Sequence, residues 1–225
     1  MNTKRHNLFL LIAIPVTAVL ITAAAIIFKQ SFLRIIPLYI SLIVMALQSS
    51  VSRYAGLLGG INSIIYAAVY IYYRLYGAAL QAVLLSFPMQ ILAFIHWGKN
   101  IENKVVKFRA LTVKQRIFVI LLLIVLQLIL FNLLSLTDTK YAFLDSLMTL
   151  VGTLTLFLTY FPFIEYAFCN AFTSICSIIL YIIMLKETPE QATYLIYSIY
   201  SFVCIIMALF KALRLYKFQK KEEVL

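Results

Sequence analysis

Charge is what this chain has least of. Only 12% of its 225 residues are Asp, Glu, Lys or Arg, about half the share usual in a soluble domain, and just eight are acidic. Two histidines and three cysteines complete a thin stock of reactive side chains. His6 lies near the N-terminus and His96 at an expected helix end, too far apart for metal or nucleophilic chemistry. Cys169, Cys176 and Cys204 have no paired spacing that would clamp a metal, so they read as buried free thiols rather than a zinc site or a disulfide scaffold. No Walker motif or nucleotide-binding domain is present, and no cofactor is implied.

The chain is instead rich in apolar surface: 64% hydrophobic residues and a mean hydropathy of +1.00. That composition excludes a soluble enzyme and fits a membrane protein. Eight windows free of charge run over 6–28, 35–52, 54–73, 75–98, 117–137, 146–164, 166–185 and 191–210. Each is 18 to 24 residues long, which at about 1.5 Å per residue matches a hydrocarbon core of roughly 30 Å. The runs are apolar throughout rather than alternating, so helices are expected and barrel strands are not. The first window resembles a signal peptide at Ala23-Ala24-Ala25, but its apolar run continues through Phe28 and is expected to be kept as a helix.

The net charge of +11 labels orientation rather than a nucleic-acid surface, because the basic residues lie between the apolar runs. With the N-terminus cytoplasmic, 14 of 19 basic residues fall inside: Lys4, Arg5, Arg53, six from Lys99 to Arg116, and Lys211, Arg214, Lys217, Lys220 and Lys221. Lys29, Arg34, Arg74, Lys140 and Lys186 fall outside. Both termini are therefore expected on the cytoplasmic side of a multi-pass protein of the bacterial cell membrane.

The basic stretch 99–116 divides the chain into an N-terminal tail and extra helix (1–34), three helices (35–98), a loop and linker helix (99–140), three more helices (141–214) and a tail (215–225). An odd number of helices per half needs an inserted helix to make two halves parallel, so the expected fold is an all-α bundle of parallel repeats with a substrate site at their interface. Arg53-Tyr54-Ala55 and Glu165-Tyr166-Ala167 open the middle helices of the two halves, and Ser63-Ile64-Ile65-Tyr66 echoes Ser177-Ile178-Ile179-Leu180-Tyr181.

Amide and ionisable side chains inside spans are costly in lipid, so they mark where function is sought. Asn62 and Tyr66 are four residues apart, as are Asn170 and Ser174, so each pair shares a helix face. Gln81 and Gln90 are nine residues apart, on opposite faces of an ideal helix unless Pro88 bends it. Gln127, Asn132 and Asp145 are further polar residues of the spans. Helix-to-helix hydrogen bonding is the plainer role for any one of them. Tyr66, Phe94, Trp97, Tyr181 and Tyr197 are placed to wall or stack on a flat ring, whereas Tyr70, Tyr72, Tyr73 and Tyr76 read as an interfacial belt. Arg53 and Glu165 are a candidate gate pair across the two halves.

These residues resemble the PnuC family of bacterial transporters of nicotinamide riboside and related vitamin precursors. The resemblance rests on Leu75-Tyr76, Leu80-Gln81, Pro88-Met89-Gln90 and Phe94-Ile95-His96-Trp97-Gly98-Lys99-Asn100, then Asp145-Ser146-Leu147-Met148-Thr149, Glu165 and Ser177 to Tyr181, over about residues 35 to 214. It implies a SWEET-like 3+1+3 bundle preceded by one extra helix, and facilitated diffusion trapped by a separate cytoplasmic kinase. Ala93-Phe94 stands where family members often carry Gly-Trp, and Ala167, Asn170 and Ser174 where they often carry tryptophans and an Asn or Asp. Those positions help form the family's pocket, so other nucleosides or a thiamine-like vitamin stand close behind nicotinamide riboside. The expected partners are that small molecule, the bilayer and the kinase, and the sequence leaves room for a homo-oligomer. Two rival classes are a substrate-capture subunit of an energised complex and an integral membrane enzyme. The latter would need clustered carboxylates, histidines or metal ligands, yet 20 residues separate Asp145 from Glu165.

Overall fold

A computed structural model describes the backbone of residues 3–99, 101–102 and 105–222. Asn100 and Lys104 lie outside the described residues, as do the side chains of Lys4, Arg5, Lys99 and Lys221, which the charge count and the family motif use. Helices α1 (Thr3–Ile27), α2 (Phe32–Ser49) and α3 (Tyr54–Tyr72) are followed by α4 (Tyr76–Gln81), a π-helical turn (Ala82–Ser86) and α5 (Phe87–Lys99), which together make one broken span. Then come α6 (Val113–Ser135), α7 (Ala142–Tyr160), α8 (Glu165–Glu187), a 3-10 turn (Pro189–Gln191) and α9 (Ala192–Glu222). Eight spans among the described residues are long and apolar enough to cross a membrane. The strands are a two-residue hairpin pairing, Ile101–Glu102 with Val105–Val106.

Two ends of the bundle follow from the contacts. At the basic end, Lys211 donates to the Ser50 carbonyl at 2.8 Å and the Phe108 amide donates to Gln219 Oε1 at 3.0 Å. At the opposite end, Arg74 pairs with Asp138 and Lys140 with Glu187. Helix α2 packs on α3 and α3 on α5, and in the other half α7 packs on α8 and α8 on α9. The halves meet where α2 lies on α9 and where α4 and α5 lie on α7. Each contact joins the first helix of one half to the third of the other, as two-fold related repeats require. The extra helix α1 lies on α9 and α2, while α6 lies on α7 with most of its apolar surface outward, as lipid contact demands.

Several boundaries differ from the charge-free windows because helix ends tolerate charges that are bonded. Helix α7 starts at Ala142 and includes Asp145, whose carboxylate accepts the Gly77 and Ala78 amides at 3.1 and 3.0 Å. It thereby caps the N-terminus of α4 from another helix. Helix α6 starts on a capping box, Thr112 with Gln115. Helix α9 continues to Glu222, so the tail expected from residue 215 is helical over its described part.

The broken fourth span has a local cause. Pro88, the second residue of α5, has no N–H to give to the turn before it, and the π-helical turn Ala82–Ser86 ends one residue short of it, at Ser86. Close approach of α3 to this span is made possible by glycine, since a Cβ on Gly56 would stand 2.9 Å from the Gln90 carbonyl oxygen. Without a hydrophobic drive in lipid, such close backbone packing is a main source of helix association.

Candidate functional site

A cavity of about 280 Å³ lies between the halves. It extends to the basic end, among the half-buried residues Val51, Ser52, Arg53 and Ala55. Its other end reaches Asn62, Tyr66 and Tyr197 near mid-bundle. Asn62 is 3% exposed and donates its amide to Ser41 Oγ at 2.7 Å and to the Pro37 carbonyl at 3.0 Å, while its Oδ1 has no partner. A buried acceptor left unpaired is costly, so an added N–H or O–H donor at this oxygen would be favourable. Gln90 donates to Ser86 Oγ at 2.6 Å and Ser63 Oγ at 3.1 Å, and Ser63 in turn meets Ser86 at 2.8 Å. This small network, made possible by the π-helical turn that carries Ser86, fixes the Gln90 side chain against Gly59.

A second cavity of about 210 Å³ adjoins the first and shares Tyr66 and Tyr197 with it. Tyr70, Met148, Thr173, Ser174, Ser177 and Tyr181 add to its walls. Toward the opposite end the bundle closes on tyrosine: Tyr66 stacks on Tyr70 at 5.5 Å, Tyr181 on Tyr194 at 5.5 Å, and Tyr73 meets Tyr194 edge-on at 5.8 Å. Burial pushes the Tyr73 hydroxyl above its usual range, with Arg34 acting the other way. Over this cluster Arg34 pairs with Glu190, Gln30 bonds to the Glu190 carbonyl, and Tyr194 donates to the Arg34 carbonyl at 2.9 Å.

Of the residues expected from sequence, Asn62, Tyr66, Gln90, Phe94, Trp97, Asn170, Tyr197 and Arg53 line the first cavity. Ser174 and Tyr181 line the second, with Tyr66 and Tyr197 common to both. Gln81 lines neither: its amide rests on Gly152 of α7, so it fills the α4–α7 contact. The expected Arg53–Glu165 pair is not made. Glu165 Oε1 accepts from Arg116 at 2.7 Å and from the Leu111 amide at 3.1 Å, because the segment before α6 crosses the start of α8. Arg53 lies over the Tyr54 and Phe94 rings at 5.2 and 5.3 Å, which also covers one face of Phe94. Trp97 is held by its indole N–H, which donates to the Thr159 carbonyl at 2.8 Å. Tyr70 and Tyr73 belong to the core rather than to an interfacial belt, because that helix end faces α9 and not lipid.

Sequence reasoning missed Ser41, Gln48, Thr155, Thr159 and Tyr166 as lining residues. Isolated hydroxyls in a span have the signature of helix glue; only the four-residue step from Pro37 to Ser41 would have drawn notice to the latter.

A family model described as nicotinamide mononucleotide transporter matches residues 31–214. The chain belongs to that family. Among solved structures, one titled as the crystal structure of the vitamin B3 transporter PnuC superposes with a TM-score of 0.81 at 20% identity, covering 96% of this chain and 94% of the other. No protein of curated function matches by sequence. The chain is thus a multi-pass membrane transporter rather than an enzyme, with the fold of that neighbour.

Proposed function

We propose that this transporter carries a ring-containing vitamin precursor or nucleoside, nicotinamide riboside first among the candidates, by facilitated diffusion and alternating access. The observation that carries the reading is the buried, unpartnered Oδ1 of Asn62, a residue that lines a cavity walled by Tyr66, Trp97, Phe94 and Tyr197. A carboxamide or base N–H would satisfy that oxygen while the ring lies against aromatic side chains. Asn170, Gln90 and Ser174 supply further polar contacts, and one half, 35–98, would rock against the other, 141–214. The chain would sit in a bacterial cell membrane with both termini cytoplasmic, and a separate kinase would trap the imported solute.

The test is uptake into proteoliposomes of nicotinamide riboside, thiamine and a panel of nucleosides, repeated with Asn62→Leu. Saturable, gradient-driven uptake of at least one ring-bearing solute is expected, reduced about tenfold or more by the substitution, the loss of one buried hydrogen bond. Absence of uptake for every member of the panel overturns the reading.

A further inference from the structure

The extra helix α1 lies across one of the two seams along which the halves meet, packing on α2 of the first half and on α9 of the second. It grips that seam at one end. Among its described side chains the buried ones, Thr17, Ile21, Ala24 and Ala25, all follow Pro15, whereas Leu8, Leu11 and Ile12 before it are exposed. Ile21 and Ala25 share a core with Leu38 and Leu42 of α2 and with Tyr194 and Cys204 of α9. Polar bonds fasten the same end to both halves. On the first half, the Thr22 and Tyr39 hydroxyls meet at 2.6 Å. On the second, Gln30, just beyond α1, uses both ends of its amide: Nε2 donates to the Glu190 carbonyl and Oε1 accepts from the Thr193 hydroxyl at 3.1 Å. The turn that ends α1 aims this side chain. Lys29 takes a φ of 49°, in the left-handed region that favours glycine, with its amide bonded to the Ile26 carbonyl and the Gln30 amide to the Ala25 carbonyl. Glu190 also holds Arg34 of α2, so one short turn of the second half is bonded from both sides of the seam.

We infer that α1 is a clamp on the conformational cycle: it holds the two halves together at the end opposite the basic one and favours the arrangement seen here. The inference rests on the alternating access proposed above and gives the extra helix a part in it. Parting the halves at that end separates α2 from the start of α9, and a helix bonded to both must release one of them. It releases the weaker grip. Loosening one grip therefore acts only by making it the weaker, and loosening both opens the seam no more readily than the looser of the two. Independent stabilising contacts would instead add.

A reporter of the parting lies on the other seam. The Gly77 and Ala78 amides, in the first turn of α4 where no helical carbonyl serves them, donate to the Asp145 carboxylate of the other half at 3.1 and 3.0 Å. Their protection from hydrogen exchange records how often the halves part at this end, away from the bonds that α1 itself makes. Exchange of these two amides is measured by mass spectrometry with residue-level fragmentation on the purified full chain, without solute, for the wild type, Gln30→Ala, Tyr39→Phe and the double variant. At least one single variant is expected to speed exchange about fivefold, the loss of about one hydrogen bond, and the double variant to match the faster single one. Amides in the middle of α8 should keep their wild-type rates. Three results overturn the inference: unchanged rates at Gly77 and Ala78 in both single variants, a double variant that multiplies two single effects, or an equal rise within α8, which marks general loosening. Because no solute is present, such a failure leaves the uptake test and the carrier reading standing. Uptake that fails for the whole panel overturns that reading, and the clamp's part in transport with it.

Discussion

The two turns at the basic end, 50–53 and 161–164, occupy matching places in the two halves and are built differently. The first is held mainly by its own backbone, with one contact from α9, Lys211 to the Ser50 carbonyl: Val51 and Ser52 donate back to the Gln48 and Leu47 carbonyls, and Val51 takes a φ of 53° to do so. The second is strapped from outside. The Arg109 amide donates to the Pro162 carbonyl, the Ile164 amide to the Arg109 carbonyl, and Phe108 stacks on Tyr166 at 5.9 Å. The difference teaches where the molecule is fixed. The segment entering α6 ties together the starts of α6 and α8 and, through Gln219, helix α9, whereas the first turn leaves its residues to line the cavity. The same helix layout therefore yields one half anchored by a backbone strap and one half whose end is held by its own backbone and a single lysine from α9.

Removing the strap should have the largest effect. Phe108 is 5% exposed and packs with Trp97, Leu158, Ile164, Tyr166, Ala167 and Ala212. Phe108→Ala is expected to lower stability by about 3 kcal/mol in thermal or denaturant unfolding in detergent. A loss under about 1 kcal/mol would mean that the strap is not an anchor. The single tryptophan of the chain, Trp97, packs in the same cluster, so its fluorescence should shift in this variant.

At the opposite end the halves again differ, and a second pair of variants sharpens the contrast. Asp145 is 1% exposed and holds two backbone amides of α4, whereas the Arg34–Glu190 pair joining α2 to the other half keeps side-chain exposures of 17% and 35%. Asp145→Ala leaves two buried donors without partners and should cost about 2 kcal/mol, while Arg34→Ala should cost about 1 kcal/mol. Equal losses would show that the two contacts between halves are energetically alike despite their chemistry. Arg116→Gln should be milder still, about 0.5 kcal/mol, since Arg116 is half exposed to solvent or headgroups.

The eight spans were legible because charge is scarce and falls between apolar runs, and the family because short motifs survive in α4, α5 and α8. Part of the cavity lining was legible too, since Asn62 and Tyr66 share a helix face that meets a cavity. What was hidden depends on partners. Tyr70 and Tyr73 end a helix as belt residues do, and only the presence of Tyr194 beside them makes them core. Gln81 looked like a ligand residue because sequence does not reveal that Gly152 waits opposite it. Glu165 looked like the partner of Arg53 until the strap brought Arg116 closer. Each misreading concerns a side chain whose role is set by a residue more than 45 positions away.

The finest test of the contrast between the turns is Val51 itself. A β-branched residue with positive φ is strained by roughly 1–2 kcal/mol, because its side chain crowds the following carbonyl. Asparagine tolerates that conformation and keeps similar bulk, so Val51→Asn should raise stability by about 0.5 kcal/mol after some apolar contact is lost. The matching change in the strapped turn, Phe161→Asn, has no strain to relieve, because φ there is −93°. It should leave stability unchanged or lower it, Phe161 being exposed. If both substitutions moved the unfolding midpoint in the same direction, backbone strain would not distinguish the two turns, and the external strap alone would have to account for their difference.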